Sequence, residues 1–347
     1  MLRLAINARF ASRPMSGVER YATELVRRVG DEARQLSPGR AGLLGAAGHV
    51  WEQTSLVARL HRDEVLWSPC NTGPLALKRH VVTVHDIAPI DHPEWFSRKY
   101  RRWIATATTT FVNRALHLLT VSEFTKDRLC DALGASPDQV TVVANGVDER
   151  FRTTPAKLTA EQKRALRLPD GPYLLTVSTA EPRKNLARLV AATTEALRSY
   201  PDVHLVVAGR SGSSRVFAGS ANEDGPPGAQ VRRIGYVPDQ LLPSLYATAV
   251  GFLYLPLYEG FGLPPLEAMA VGVPCVLSDI PPLRETGAPA RWADPRNPAS
   301  ISEEICALLD DHTSAVAEEA RRCAQRYTWE KSSATLERVF ARLGVRT

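Results

Sequence analysis

The 347-residue sequence contains no uninterrupted apolar run of 18 residues, so no segment is predicted to cross a bilayer as a helix. It has no CxxC pair. Its five cysteines (Cys70, Cys130, Cys275, Cys306 and Cys323) are scattered, and an odd, unclustered set reads as reduced packing residues rather than a zinc site or disulfide framework. There is no GxGxxG, which argues against a dinucleotide fingerprint and with it a dehydrogenase. The opening MLRLAINARF passes straight into a strand-like pattern without the long apolar core of a signal peptide, so the protein is expected in the cytoplasm. Lysine is scarce: seven of the 43 basic residues, the rest being arginine, in a chain of net charge +6. The excess favours anionic partners such as nucleotides or phospholipid surfaces. No nucleic-acid-binding motif accompanies it, and no nucleic acid partner is expected.

What is present is an alternation. Apolar runs of four to seven residues at 2–6, 65–68, 81–84, 118–121 and 140–144 are separated by helix-period stretches, among them 17–29, 98–114 and 123–133. Buried strands alternating with helices predict a parallel α/β sheet covered on both faces. The pattern stops over residues 148–171, a polar and basic stretch with Pro155 and Pro169 that reads as a linker with a short helix. It restarts at 173–177, with strands at 203–208, 231–234, 251–255 and 274–278 and helices at 185–199, 239–248 and 265–271. Residues 299–343 read as helical throughout. The prediction is two Rossmann-like, doubly wound domains, 1–165 and 166–327, with a C-terminal helix in 328–347 reaching back to the first. Such sheets bind ligands at the carboxyl ends of their strands, so two of them facing one another predict a cleft. The stretch 211–228, rich in Gly, Ser, Asn and Pro, reads as a surface loop.

Four places carry candidate chemistry. YEGFGLPPLEAMA (258–270) follows an apolar run. Glu259 sits just past a strand's carboxyl end, Gly260 and Gly262 allow close backbone approach, and a helix from Pro265 would offer an anion site. Glu267 has two readings, a carboxylate favouring the helix dipole or an acceptor for the vicinal hydroxyls of a ribose. STAEPRKN (178–185) puts Arg183 and Lys184 on a strand-to-helix loop with Asn185 as a helix cap, suited either to phosphate or to plain solvation. His85 and Asp86 end a first-domain strand, as a structural pair or as a polar contact for a reacting sugar. Gly17 opens a helix where a substrate could approach the backbone. The basic, aromatic helix within 93–119, with Trp95, Phe96, Tyr100 and Trp103 among Arg98, Lys99, Arg101 and Arg102, either packs on its sheet or lies on an anionic membrane.

Taken in order, these segments resemble family-four retaining glycosyltransferases of the GT-B fold, over nearly the whole chain. YEGFGLPPLEAMAVGVPCVLSD (258–279) is similar to the family's E-x7-E segment, STAEPRKN to its phosphate loop, SGVERYATEL (16–25) to its acceptor-side glycine loop, VHDIAPIDHPEWF (84–96) to its His-Asp strand end, ANGVD (144–148) to its domain junction and TWEKSSATL (328–336) to its crossing helix. The resemblance implies that His85, Lys184 and Glu259 act at the reacting centre. It implies that Arg183 holds the diphosphate, that Phe261, Gly262 and Leu263 offer backbone N–H groups, that Glu267 binds ribose and Gly17 lies near the diphosphate, and that Tyr236 and Val237 lie near the base. Several relatives carry Arg six residues before the loop lysine; here that position is Ser178, and Arg183 or Arg210 is expected to substitute. The implied reaction is transfer of a hexose, mannose from GDP-mannose as first choice, to a glycan or lipid-linked acceptor in cell-surface polysaccharide synthesis, with retention. No DxD occurs, so neither metal nor other cofactor is expected. A nucleotide-sugar 2-epimerase and a non-catalytic nucleotide-sugar-binding subunit are the alternatives.

Overall fold

A computed structural model describes residues 2–30, 33–39, 45–153, 155–209, 216–217, 230–311 and 315–347. Arg210 and all of the 211–228 stretch except residues 216–217 lie outside the described residues. The chain divides into two compact units. One comprises Met1–Pro93, Arg98–Gly146 and Tyr327–Thr347, the other Glu94–Ser97 and Val147–Arg326.

The first unit is built on a parallel sheet of seven strands: β1 (Leu2–Asn7), β2 (Arg34–Leu36), β3 (Glu64–Ser68), β4 (His80–Val84), β5 (His117–Thr120), β6 (Val140–Val142) and, from the far end of the chain, β13 (Val345–Arg346). The order is β13-β1-β3-β4-β5-β6, with β2 also pairing with β1. Strands β3, β4 and β5 are buried at every position, as a sheet covered on both faces requires. Helix Gly17–Arg28 buries Tyr21, Ala22, Leu25 and Val26 at helical spacing. Helix Glu123–Leu133 begins where the Ser122 hydroxyl accepts from Thr125 N at 3.1 Å. It ends at Gly134, with φ 71° and the paired return bonds of a left-handed cap. Helix Trp329–Arg342 belongs to this unit. Thr328 caps it, Trp329 is buried 6.4 Å from the Tyr21 ring, Ser332 Oγ donates to Ala144 O at 2.6 Å, and Phe340 meets Trp67.

The second unit is a six-stranded parallel sheet: β7 (Tyr173–Val177), β8 (His204–Ala208), β9 (Val231–Gly235), β10 (Gly251–Tyr254), β11 (Cys275–Ser278) and β12 (Arg291–Ala293), in the order β12-β11-β10-β7-β8-β9. The chain winds outward from β7 to β9, then returns to β7's other side. The switch in winding therefore falls between β7 and β10. A core of Leu174, Leu189, Leu205, Leu253, Val276, Ile301 and Ile305 packs helices Leu186–Ala196 and Pro298–Asp310 on one face.

The structure corrects several expectations. Residues 299–343 are not one helical stretch but three helices, Pro298–Asp310, Ala315–Ala324 and Trp329–Arg342. Strands β2, β12 and β13, and helix Ala46–Gln53, were not foreseen; the strands are two or three residues long and carry too little pattern to be seen outside their ladders. The helix expected from Pro265 starts at Leu263, so Glu267 falls in its second turn and the dipole reading loses its basis. In helix Arg98–Arg114 the residues Ile104, Ala107, Phe111 and Val112 are buried. Phe96 is buried against Phe217, and Trp103 leans on His49 with ring centroids 4.9 Å apart. Phe96 and Trp103 thus pack on protein, while Arg98, Lys99 and Arg102 stay exposed. No helix among the described residues is long and apolar enough to cross a membrane.

Candidate active site

The second unit assembles its charged residues at the carboxyl ends of β7 and β10, the two strands that flank the switch in winding, where an open α/β sheet offers its ligand crevice. After β7 the chain makes a 3-10 turn, Pro182–Lys184, that ends at Asn185 with φ 58°. Asn185 stands at the start of the next helix but does not cap it. Its amide instead donates to Leu255 O and Pro295 O at 3.0 and 2.8 Å. Together with Leu257 N donating to Arg183 O at 2.8 Å, these bonds tie the β7 loop to the chain leaving β10.

That tie delivers Arg183 and Lys184 to Glu259. Lys184 Nζ bonds Glu259 Oε1 and the Tyr254 hydroxyl, the latter at 2.8 Å. Arg183 Nη1 lies 3.3 Å from Glu259 Oε2, and its Nε donates to Glu181 Oε2 at 2.9 Å. Thr179 holds the other Glu181 oxygen at 2.7 Å. Two cations and two carboxylates therefore balance in a space where the four side chains are only 9–18% exposed. Burial alone would raise the Glu259 pKa. The charges of Lys184 and Arg183 and the bonds from Lys184 and Tyr254 override it and bring the carboxyl to about 2. Glu181 is likewise lowered against its burial by Arg183 and Lys184. Glu259 is thus an ionised acceptor at neutral pH, not a proton donor.

Beyond Glu259 the backbone turns sharply. Gly262 has φ 99°, and a Cβ there would lie 2.3 Å from Leu283 Cδ2. It precedes helix Leu263–Val271, whose first turn contains Pro264 and Pro265. Prolines have no N–H, so of the donors a helix start usually leaves over, only those of Gly262 and Leu263 exist here. Phe261 and Leu263 are buried. Glu267 is 5% exposed and accepts from the Tyr246 hydroxyl at 3.1 Å. Past β9, Tyr236 is half exposed while Val237 is buried. Ser178 follows β7 with its hydroxyl turned to Thr179 O, and its carbonyl oxygen would sit 1.8 Å from a Cβ on Gly209. No cation occupies position 178.

In the first unit, Gly17 is the first residue of its helix, and a Cβ there would meet nothing within 4 Å. His85 follows β4 and is buried. Its Nε2 lies 2.8 Å from Pro69 O, and its ring meets that of Tyr21 nearly at right angles with centroids 4.8 Å apart. A carbonyl only accepts, so Nε2 carries the hydrogen and Nδ1 is left as acceptor. Burial, partly opposed by that bond, lowers the His85 pKa to about 4 and keeps the ring neutral. Asp86 does not pair with His85; its Oδ1 accepts from Ala88 N at 3.0 Å at the start of a short helix. Among the described residues, no group of three His, Cys, Asp or Glu side chains is placed to hold a metal ion.

Two features escaped sequence reading. Tyr254 joins Lys184 to Glu259 from inside a strand, and its only signal was a polar tip in an apolar run. In the first unit Arg9 and Glu52, both nearly fully buried, pair at 3.3 Å at the carboxyl end of β1. Asn7 and Thr72 satisfy Glu52 Oε1, each at 3.0 Å, and His49 lies beside both charges.

Residues 159–327 match the model for glycosyl transferases group 1, and residues 38–151 that for Glycosyltransferase Family 4. The chain is 34% identical to O-antigen chain mannosyltransferase B of Escherichia coli, over 78% of this chain and 72% of that protein. The chain belongs to glycosyltransferase family 4. This glycosyltransferase is also 28% identical to O-antigen chain mannosyltransferase RfbU of Salmonella typhimurium, over 68% of this chain and 62% of that one. Among solved structures, the sucrose-phosphate synthase of Thermosynechococcus elongatus superposes with a TM-score of 0.76 at 16% identity, covering 99% of both chains. WaaG, a glycosyltransferase involved in lipopolysaccharide biosynthesis, gives 0.67 at 15% identity over 96% of this chain and 98% of its own. At these identities the likeness is one of fold, and the fold of this glycosyltransferase is GT-B.

Proposed function

We propose that this glycosyltransferase moves a hexose from a nucleoside diphosphate sugar to a glycan or lipid-linked acceptor in polysaccharide biosynthesis, with retention and without a metal ion, and that the donor is GDP-mannose. The observation that carries the reading is the meeting of Lys184, Arg183 and Glu259 at the β7–β10 switch point. The relatives named as O-antigen mannosyltransferases support the choice of sugar and pathway class.

The chemistry follows from charge. The bond from the anomeric carbon to the diphosphate oxygen breaks. The acceptor oxygen bonds to that carbon on the same face, and its proton passes to the departing diphosphate. Negative charge develops on the phosphate, where Lys184, Arg183 and the Gly262 and Leu263 N–H groups are the donors that stabilise it. The two cations begin paired with Glu259 and Glu181. Donor binding therefore adds phosphate oxygens to the partners of these cations and sugar hydroxyls to those of Glu259. Glu267, held by Tyr246, would receive the ribose hydroxyls, and Tyr236 would face the base. His85, as a neutral ring, and Gly17 are the first unit's proposed contributions.

The test is a donor panel of GDP-mannose, UDP-glucose, dTDP-rhamnose and ADP-glucose with a polyprenyl-diphosphate-linked oligosaccharide, product anomers being assigned by NMR, with and without chelator. Mannose transferred with retention, insensitive to chelator, is expected. An inverted product or chelator-sensitive turnover would overturn the mechanism, and epimerised donor in the absence of acceptor would overturn the reaction class.

A further inference from the structure

The chemistry above uses two cations and a carboxylate, and one side chain sets where they stand. Tyr254 is the last residue of β10 and is 3% exposed. Its ring stacks on Phe252 with centroids 6.1 Å apart and planes 16° from parallel. An ammonium only donates, so the phenol oxygen accepts from Lys184 Nζ at 2.8 Å and its hydrogen is committed to Glu259 Oε1. Lys184 Nζ also lies 5.3 Å from the centre of the Tyr254 ring. One ammonium N–H is thereby used by Tyr254 and one by Glu259.

We infer that Tyr254 is a positioning residue that fixes the Lys184 ammonium within its pair with Glu259, so that the third N–H is presented to the donor's phosphate. The inference rests on the proposed function. An ammonium held by a single carboxylate can still turn about that contact, so the N–H it offers to an incoming anion is not set. A rigid hydroxyl accepting from the ammonium on one side and donating to the carboxylate on the other fixes both. Burial first, then the Glu259 charge, raises the phenol pKa well above its ordinary value, so the hydroxyl keeps the proton this arrangement needs. The groups facing Glu259 are Lys184 and Arg183 from the β7 loop and Tyr254 from β10, with Glu181 opposing from that loop.

The test is Tyr254→Phe, which removes one oxygen and leaves the stacked ring. The probes are GDP, UDP, dTDP and ADP with their parent nucleosides, measured by calorimetry, alongside transfer kinetics. A diphosphate that binds the parent protein should bind the variant at least about fivefold more weakly, and kcat should fall about tenfold or more. The nucleoside affinity should change less than about twofold. A partly folded sample lowers stoichiometry, not affinity, so misfolding does not imitate this pattern. Should the Tyr254→Phe variant not fold, 3-fluorotyrosine in place of Tyr254 keeps every packing contact and weakens the oxygen as an acceptor; the same ordering is expected at smaller amplitude. Equal losses for nucleoside and diphosphate, or kcat and diphosphate affinity within twofold of the parent, overturn the inference alone. A parent protein that binds none of the four diphosphates overturns the proposed function and this inference with it.

Discussion

Replacing Lys184 with alanine removes the ammonium that bonds Glu259 Oε1 and the Tyr254 hydroxyl. Both partners are almost entirely buried, the lysine side chain 12% and the glutamate 9% exposed, so solvent offers little compensation. A Glu259 carboxyl at about 2 against its ordinary 4.5 corresponds to about 3 kcal/mol favouring the ionised form in the fold. Because the folded pKa is the lower one, that contribution is complete above about pH 4.5 and is lost as the pH falls toward 2. Without Lys184, Arg183 remains, but burial is no longer overridden to the same extent. We expect Lys184→Ala to cost about 2–4 kcal/mol at pH 7, a fall in Tm of roughly 5–15 °C. Lost transfer in that variant would then mix a missing catalyst with a weakened fold. Glu259→Gln separates the two. The double variant has neither charge and should be less destabilised than the sum of the singles by about 2 kcal/mol, yet should still transfer no sugar. Urea denaturation of the four proteins at pH 7 measures the coupling. Additive losses within about 0.5 kcal/mol would refute the ion-pair reasoning, and recovered transfer in the double variant would refute the role given to Lys184.

Gly262→Ala places a Cβ against Leu283 at φ 99° and should cost about 2 kcal/mol or more, and with Leu283→Ala added the double variant should lose less than the sum of the singles; unchanged urea midpoints would contradict it. Gly17→Ala meets no other described residue within 4 Å, so its Tm should stay within about 2 °C of the parent while donor KM rises, and equal kinetics would remove Gly17 from the site. His85 and His117 are held near 4 by burial, so each favours the fold above its ordinary pKa of 6.5 and that stability is lost as the pH falls toward 4. His85→Gln should flatten the fall in Tm between pH 6.5 and 4, and a slope equal to the parent's would remove His85 as a source of it. Arg98, Lys99 and Arg102 are exposed on one helix. Anionic phosphatidylglycerol vesicles should bind the protein more weakly after all three are changed to Gln, and binding indifferent to salt and to these changes would exclude a charge-driven membrane contact.

Much of the fold was legible because its signals are local. Helices Arg98–Arg114 and Glu123–Leu133 and strand β7 fall on the expected residues. Ser122, Thr328 and Gly272 act within one turn of themselves, as caps must. Strands β2, β12 and β13 were not legible, since two or three residues become a strand only when a neighbouring ladder supplies their partners. Asn185 read as a cap from its type and position, but two carbonyls from Leu255 and Pro295 claim its amide. Glu267 read as a first-turn carboxylate until the helix proved to begin two residues earlier.

By itself the sequence determined the class of the chain, since the order of apolar runs and helices leaves a parallel α/β architecture as the way to bury them, and the E-x7-E and EPRKN segments mark the family. What only the tertiary structure decided is which charges meet. Lys184 and Tyr254 are 70 residues apart in the chain, and they touch because β7 and β10 are neighbours at the switch in winding. A carboxylate's pKa, a lysine's reach and the state of a buried histidine depend on desolvation and on distances of a few ångströms between such segments, and no local pattern encodes those.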